Sequence, residues 1–317
     1  MRGLIRNLVF MVCGIVLALL VGEGIIRIAT MDQQNYVIEM WRYAKLLKER
    51  SSDPEIGHQH IPNRSAILQN VEIKTNQFGM RGPEPNFKAV QRVAIVGDSL
   101  ALGWGVSDEQ SLRGQLAKVL PTDFDVVNAG VGNMNLNQSV TLWRQISQQV
   151  SANILVVCMT PRASANVVTE APGWLVQHSE LAALASTFAQ QLVSGEYGEA
   201  AMIKGYQEQW QSPAGHKILT QAFNQLQTIK QNQHSRIIIV SIPEMHDFNQ
   251  YQFGFMEDKA KQLAAQYGFD YIDPLPSLKG KPASSYWVSP RDIHLNGSAF
   301  KIITQLIIDD INRGSTQ

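Results

Sequence analysis

The sequence predicts an α/β fold: a three-layer, doubly wound, mostly parallel five-stranded sheet, preceded by an N-terminal membrane segment. Three observations predict it. Short β-branched runs recur along the chain, helical stretches alternate with them, and an uncharged stretch stands near the start. With 317 residues and 44% hydrophobic composition, the chain can bury a full core in one large domain.

The strand runs are RVAIV from Arg92, DVVNA from Asp125, ILVVCM from Ile154, RIIIVSI from Arg236 and a short YID from Tyr271. Helices are expected near Glu109 to Val119, Asn137 to Val150, Ala214 to Gln231, Gly254 to Tyr267 and Gly297 to Ile311. That β-α alternation is the pattern of a parallel sheet covered on both faces. The span from Thr160 to Ser212 is too long for a simple connection and carries its own helical pattern, SELAALASTFAQQLVSG. It reads either as an insertion over a site or as a peripheral helical excursion.

Arg2 and Arg6 precede the uncharged run LVFMVCGIVLALLVG, Leu8 to Gly22. The run is short for a spanning helix and would suit a signal peptide. A retained anchor is expected nevertheless, because no small-x-small cleavage site follows and Ile25, Ile26 and Ile28 extend the apolar pattern past Glu23. Glu23 and Arg27 form an i,i+4 pair near the interface. Basic residues ahead of the run predict a cytoplasmic N-terminus, with the remaining chain on the periplasmic side of a bacterial inner membrane. The organisation expected is a segment at 1–30, a juxtamembrane connector at 31–90 with one helix in YVIEMWRYAKLLKER, and the large domain at 91–317.

Lys plus Arg and Asp plus Glu both number 27, and no run of five like charges occurs, so nucleic acid is not an expected partner. Cys13 and Cys158 fall in two separate apolar runs and cannot plausibly pair; Cys158 reads as a buried hydrophobe.

The strand RVAIV runs straight into GDSLALGWG, which puts Ser99 just past the carboxyl end of a central strand, where open parallel sheets bind ligands. A helix starting after that turn would aim free N–H groups at charge developing near the serine oxygen. The bland alternative is that Asp98 or Ser99 merely caps the helix. The far end of the chain favours chemistry: SPRDIHLNGSAFKII offers Asp292 and His294 beside a helix start after the last strand. His294 is then the base for Ser99, with Asp292 orienting its ring.

Other features carry less. His58 and His60 form an H-x-H near Glu55, but spacing identifies no third ligand, so no metal is expected. The glycines of AGVGN complete neither phosphate-binding motif, and no cofactor is called for. Trp104, Trp174, Trp210 and Trp287 read equally as a sugar-binding face or as core.

Taken in order, these landmarks resemble the GDSL/SGNH hydrolase family, and in particular its membrane-anchored bacterial members. SDPEIGHQHIPN at Ser51 and KTNQFGMRGPE at Lys74 resemble two elements that precede the domain in those proteins. RVAIVGDSLALGWGV resembles the nucleophile block, NAGVGNMNLNQ at Asn128 the second block, and SPRDIHLNGSAF the closing Asp/His block. The resemblance implies an SGNH/flavodoxin-like fold with Ser99 as nucleophile and Asp292 and His294 completing a triad. It also implies an oxyanion hole from backbone amides of Ser99 and of Gly132 or Asn133.

Two places depart from the family pattern. Many members carry the acid three residues before the histidine, where this chain has Arg291. The strand ILVVCM continues as TPRASAN, where members have a G-x-N-D-like element whose asparagine completes the oxyanion hole; Asn133, Asn135 or Arg162 are the available substitutes. The expected function is a serine esterase acting through an acyl-enzyme, with O-acetyl groups on cell-envelope carbohydrate as a natural substrate. The alternatives are an O-acyltransferase on envelope polysaccharide and a non-catalytic carbohydrate-binding or assembly protein that keeps the fold.

Overall fold

The computed structural model describes residues 2–167, 173–194 and 199–314. Its centre is a five-stranded parallel sheet in the order β6-β5-β7-β8-β9, made of β5 (Gln91–Val96), β6 (Phe124–Asn128), β7 (Ile154–Met159), β8 (Arg236–Ser241) and β9 (Asp270–Ile272). All five runs read from the sequence are these strands. The order is the flavodoxin-like one, with its switch point between β5's two neighbours. Every residue of β7 is buried, as expected of a strand covered on both faces.

The helices divide between those faces. On one lie α5 (Leu136–Ile146), α9 (Pro213–Gln233) and α10 (Gly254–Tyr267), packed through Val140, Trp143, Phe223, Leu226 and Ala260 against Ala94, Leu155 and Ile239. On the other lie α4 (Leu112–Val119) and α12 (Gly297–Gly314), whose Leu116, Phe300, Ile303 and Ile307 meet Val93, Val156 and Ile238. The alternation of strand residues between the two clusters is the period of two that sets sheet faces.

Ahead of the sheet stand α1 (Arg2–Ala29), α2 (Tyr36–Leu47) and two small antiparallel pairs, β1 (Lys48–Arg50) with β2 (His58–His60) and β3 (Ser65–Leu68) with β4 (Val71–Lys74). This segment, expected as a connector, packs onto the domain. Tyr43, Leu47, Leu68 and Ile73 share a buried cluster with Leu102 and Trp104, which follow the nucleophile turn. The KTNQFGMRGPE element has a physical role here. The Asn76 carboxamide accepts from the N–H groups of Phe78 and Met80, and Gly79 takes φ +74°, closing a tight turn. Arg81, buried, donates to the carbonyls of Leu102, Gly103 and Val106 and so clamps the loop behind Ser99.

Helix α1 is 28 residues long with no buried residue, and at roughly 42 Å it exceeds the hydrocarbon thickness of a bilayer. The span after β7 holds α6 (Trp174–His178), α7 (Glu180–Ser194) and α8 (Glu199–Gln211). Within it residues 168–172 and 195–198 lie outside the described ones.

Candidate active site

Strand β5 ends at Val96, and Gly97 turns the chain where any Cβ would lie 2.8 Å from the Ala101 side chain and 3.0 Å from Cys158. Asp98 caps the short helix α3 (Ser99–Leu102): its Oδ1 accepts from the Leu100 N–H at 2.9 Å and its Oδ2 from Thr160 Oγ1 at 2.7 Å. Burial holds the Asp98 carboxyl above the ordinary carboxylate range. The capping role thus belongs to Asp98, which leaves Ser99 at the first helical position with its N–H unbonded within the helix.

His294 and Asp292 come from the hairpin β10 (Trp287–Ser289) and β11 (Asp292–Leu295). Residues two apart on a strand share a face, so a spacing of two aims both side chains at Ser99, while Arg291 stands outside the strand. Ser99 Oγ lies 2.9 Å from His294 Nε2. His294 Nδ1 lies 2.6 Å from Asp292 Oδ1, which also accepts the His294 backbone N–H at 3.0 Å. With the ring proton on Nδ1 facing the carboxylate, Nε2 accepts from the serine hydroxyl. The other carboxylate oxygen, Oδ2, accepts from Gln69 Nε2 at 2.5 Å and from Trp104 Nε1 at 3.0 Å. Burial pushes Asp292 up, but the bonds from His294 and Gln69 outweigh it and hold the carboxyl below its usual value.

These groups open into a cleft of about 390 Å³. Tyr36 of α2 forms part of its wall, its ring centroid 5.7 Å from that of His294, and burial together with the Asp292 charge pushes its hydroxyl up to about 12. Across the cleft stand Thr160 to Arg162, Tyr206 of α8, and the loop after β8 with Glu244 and His246. His246 Nδ1 and Glu244 Oε1 are in close contact, a second imidazole–carboxylate pair in the same cleft.

Ser99, Asp292 and His294, singled out in the sequence, stand here within hydrogen-bonding distance in series. The second-block residues differ. Gly132 does not line the cleft, and its N–H donates to the Tyr43 hydroxyl at 2.9 Å, so that amide is already engaged. Asn133, at φ +64°, accepts from the Arg162 guanidinium at 2.7 Å. Asn135 caps α5 and donates to the Ala165 carbonyl, which removes it as a substitute for the missing third-block asparagine. Trp104 and Trp210 are buried, their indole N–H groups donating to Asp292 and to the Pro161 carbonyl, Trp287 is partly buried and donates to the Met245 carbonyl, and Trp174 is exposed; two of the four are therefore core residues. His58 and His60 bond to the Gly132 and Gly79 carbonyls, and burial lowers them to about 4 and about 3, so both are neutral structural residues.

Gln69, Tyr36, Glu244 and His246 were not read from the sequence. Only Gln69 left a trace, as part of the polar pair Gln69–Asn70 between two apolar runs; that pair forms the β3–β4 turn, both residues at positive φ.

Fold and constellation together define a class: a flavodoxin-like sheet carrying a Ser–His–Asp array at the carboxyl end of β5, beside the switch point. No family model matches the sequence, and no curated protein matches it. Among solved structures, the chain is similar to a carbohydrate acetylesterase family member from Sinorhizobium meliloti, at 13% identity over 71% of this chain and 98% of that one, TM-score 0.41. It is similar to the psychrotrophic esterase EstA from Pseudoalteromonas, at 12% identity over 72% and 100%, TM-score 0.45. It is similar too to a member of the lipolytic protein G-D-S-L family from Veillonella parvula, at 12% identity over 71% and 100%, TM-score 0.43.

Proposed function

We propose that this chain is a serine ester hydrolase of the GDSL/SGNH type, and the observation that carries the reading is the hydrogen-bonded line Ser99–His294–Asp292. Ser99 Oγ attacks the ester carbonyl carbon while His294 Nε2 takes its proton, and Asp292 stabilises the imidazolium. The oxyanion draws on the backbone N–H of Ser99 and on the Arg162 guanidinium, which lines the cleft and takes the part of the family's asparagine; Asn133, which does not line the cleft, serves by tethering Arg162. Collapse expels the alcohol with the proton from His294 and leaves an acyl group on Ser99. A water molecule, deprotonated by His294, then releases the acid and regenerates the hydroxyl.

The substrate proposed is an O-acylated carbohydrate of the cell envelope, with α1 as a retained single-pass anchor and the catalytic domain on the periplasmic side. Retention is supported by how the end of α1 joins the fold. Glu23 accepts from Ser179 Oγ and from the N–H groups of Glu180 and Leu181, which ties the anchor to the start of α7. A second reading, transfer of the acyl group to a sugar hydroxyl, is favoured by the His246–Glu244 pair, which offers a hydrogen-bonding station for an acceptor opposite Ser99.

The test is fluorophosphonate labelling of the full chain in detergent, with Ser99→Ala and His294→Ala as controls. Labelling at Ser99 that depends on His294 supports the hydrolase, and product analysis with and without a sugar acceptor separates hydrolysis from transfer. A folded chain that takes no label overturns both and favours a binding protein that keeps the fold.

A further inference from the structure

Helices α6 and α7 carry an apolar surface that the cleft does not use. Leu181, Ala185, Phe188 and Leu192 recur at helical spacing along α7, and Leu181 packs within 3.2 Å of where a Cβ on Gly22 of α1 would stand. Further along the stripe Phe188 and Leu192 are 61% and 58% exposed, and on α6 Trp174 and Leu175 are 69% and 64% exposed. Four large apolar side chains on two consecutive helices form a surface that a free soluble domain would rarely leave in water.

The place where α7 meets α1 decides what covers it. Contact is confined to the end of α1, around Gly22 to Ile26, just past the long apolar run. Glu23 caps the α7 N-terminus there, Thr30 Oγ1 bonds Glu180, and Arg42 of α2 pairs with both Glu39 and Glu180. Trp41 Nε1 donates to the Val176 carbonyl and fixes α6 to α2. The polar side of α7 is therefore bolted to the domain at the level where α1 leaves the apolar phase. The apolar stripe of α7 starts at that level, with Leu181 beside Gly22, and α6, which carries Trp174, is joined to α2 through Trp41; a helix in the headgroup boundary presents such a stripe, and tryptophan favours that zone.

We infer that α6 and α7 form a second membrane contact, an interfacial element that lies in the bilayer surface beside α1 and inserts Trp174, Leu175, Phe188 and Leu192. This rests on reading α1 as a retained anchor. Its consequence is that the domain cannot swing freely on a tether: Tyr36, in the wall of the cleft, stands on α2, the helix that Trp41 joins to α6 and Arg42 to α7. The cleft then works on envelope material close to the membrane.

The test uses the full chain in vesicles of phosphatidylcholine and phosphatidylglycerol, in a Cys13→Ser background, with single cysteines introduced as Phe188→Cys, Leu192→Cys or Lys204→Cys. Each carries a nitrobenzoxadiazole label. Flotation first reports whether α1 holds the chain on the vesicle. Among floating protein, the expected result is blue-shifted emission at 188 and 192, quenched by acyl-chain nitroxide lipids about threefold more than at 204. Aqueous emission at all three positions overturns the interfacial element and leaves the anchor standing. Blue-shifted emission that nitroxide lipids leave unquenched, and that fades on dilution into excess lipid, assigns the stripe to a second copy and also overturns it. Failure to float overturns the anchor and the element together. Trp174→Cys repeats the reading on α6 should either α7 variant fold poorly.

Discussion

The two walls of the cleft are built differently. On the Asp292 side every polar atom of the carboxylate is occupied, by His294, Gln69 and Trp104, and the donors come from three separated parts of the chain. The far wall is looser. Arg162 is exposed and donates to Asn133, while Glu244 and His246 pair with each other across two residues. The carboxyl groups follow suit: Asp292 is held low by its donors, whereas Glu257, behind the far wall, is pushed up by burial to about 7. One wall fixes a charge, and behind the other stands a carboxyl that burial pushes towards its neutral form. Only the first suits the part of a triad that must keep one tautomer through the cycle.

The largest effect that would break this contrast is Asp292→Asn, which keeps the shape and removes the charge. Hydrolysis of a simple activated ester is expected to fall by about 10⁴-fold, with Ser99 labelling slowed in parallel. A loss under tenfold would show that the tight wall is scaffolding. Next, Arg162→Ala is expected to cost on the order of 100-fold in kcat with KM little changed, the mark of a donor used in the transition state. A KM effect alone would return Arg162 to substrate binding.

A smaller effect sharpens the tight wall itself. Gln69→Leu removes one of the donors to Asp292 and is expected to slow hydrolysis by about tenfold while lowering stability by about 1 kcal/mol. Gln69→Glu, which would set a second carboxylate against Asp292, should be worse than Leu if the bond positions a charge. Equal losses would mean that Gln69 acts only by filling space.

Gln69 also marks the limit of what residue identity conveys. The sheet was legible because buried parallel strands need β-branched runs and leave a pattern of them. Ser99, Asp292 and His294 were legible because a G-D-S turn straight after a strand and an Asp/His block before a helix start mark recognisable element ends and together resemble family blocks. Gln69 sits in a polar, Pro- and Gly-punctuated stretch, and Tyr36 opens a helix that was legible as a helix but not as a wall of the cleft. Their roles appear only when chain positions 223 residues apart, such as Gln69 and Asp292, are brought together. Gly132 shows the converse: its place in the second block is visible in the sequence, but a backbone N–H gives no sign that Tyr43, 89 residues earlier, has already taken it.

The last prediction tests the far wall through its protons. Tyr251 donates to Glu257 Oε1 and accepts the Glu244 N–H at 3.1 Å, which links the buried Glu257 to the loop that carries His246. Burial is the main cause of the rise in Glu257 to about 7 from an ordinary value of 4.5. A carboxyl raised in the folded state binds protons that the unfolded chain releases, so its contribution is complete below about pH 4 and is lost as pH rises towards 7. His58 and His60, held neutral by burial, give an opposite slope over the same range, so the Glu257 contribution is read as the difference in urea-unfolding stability between the native chain and Glu257→Gln in detergent, expected to fall by roughly 3 kcal/mol between pH 4 and pH 8. Asp292 works the other way, its contribution being lost as pH falls into the acid range, so the two walls predict opposite slopes. Asp292 stands unchanged in both chains and cancels from that difference. A difference that stays flat with pH would place the titrating group elsewhere and erase the electrostatic half of the contrast between the walls.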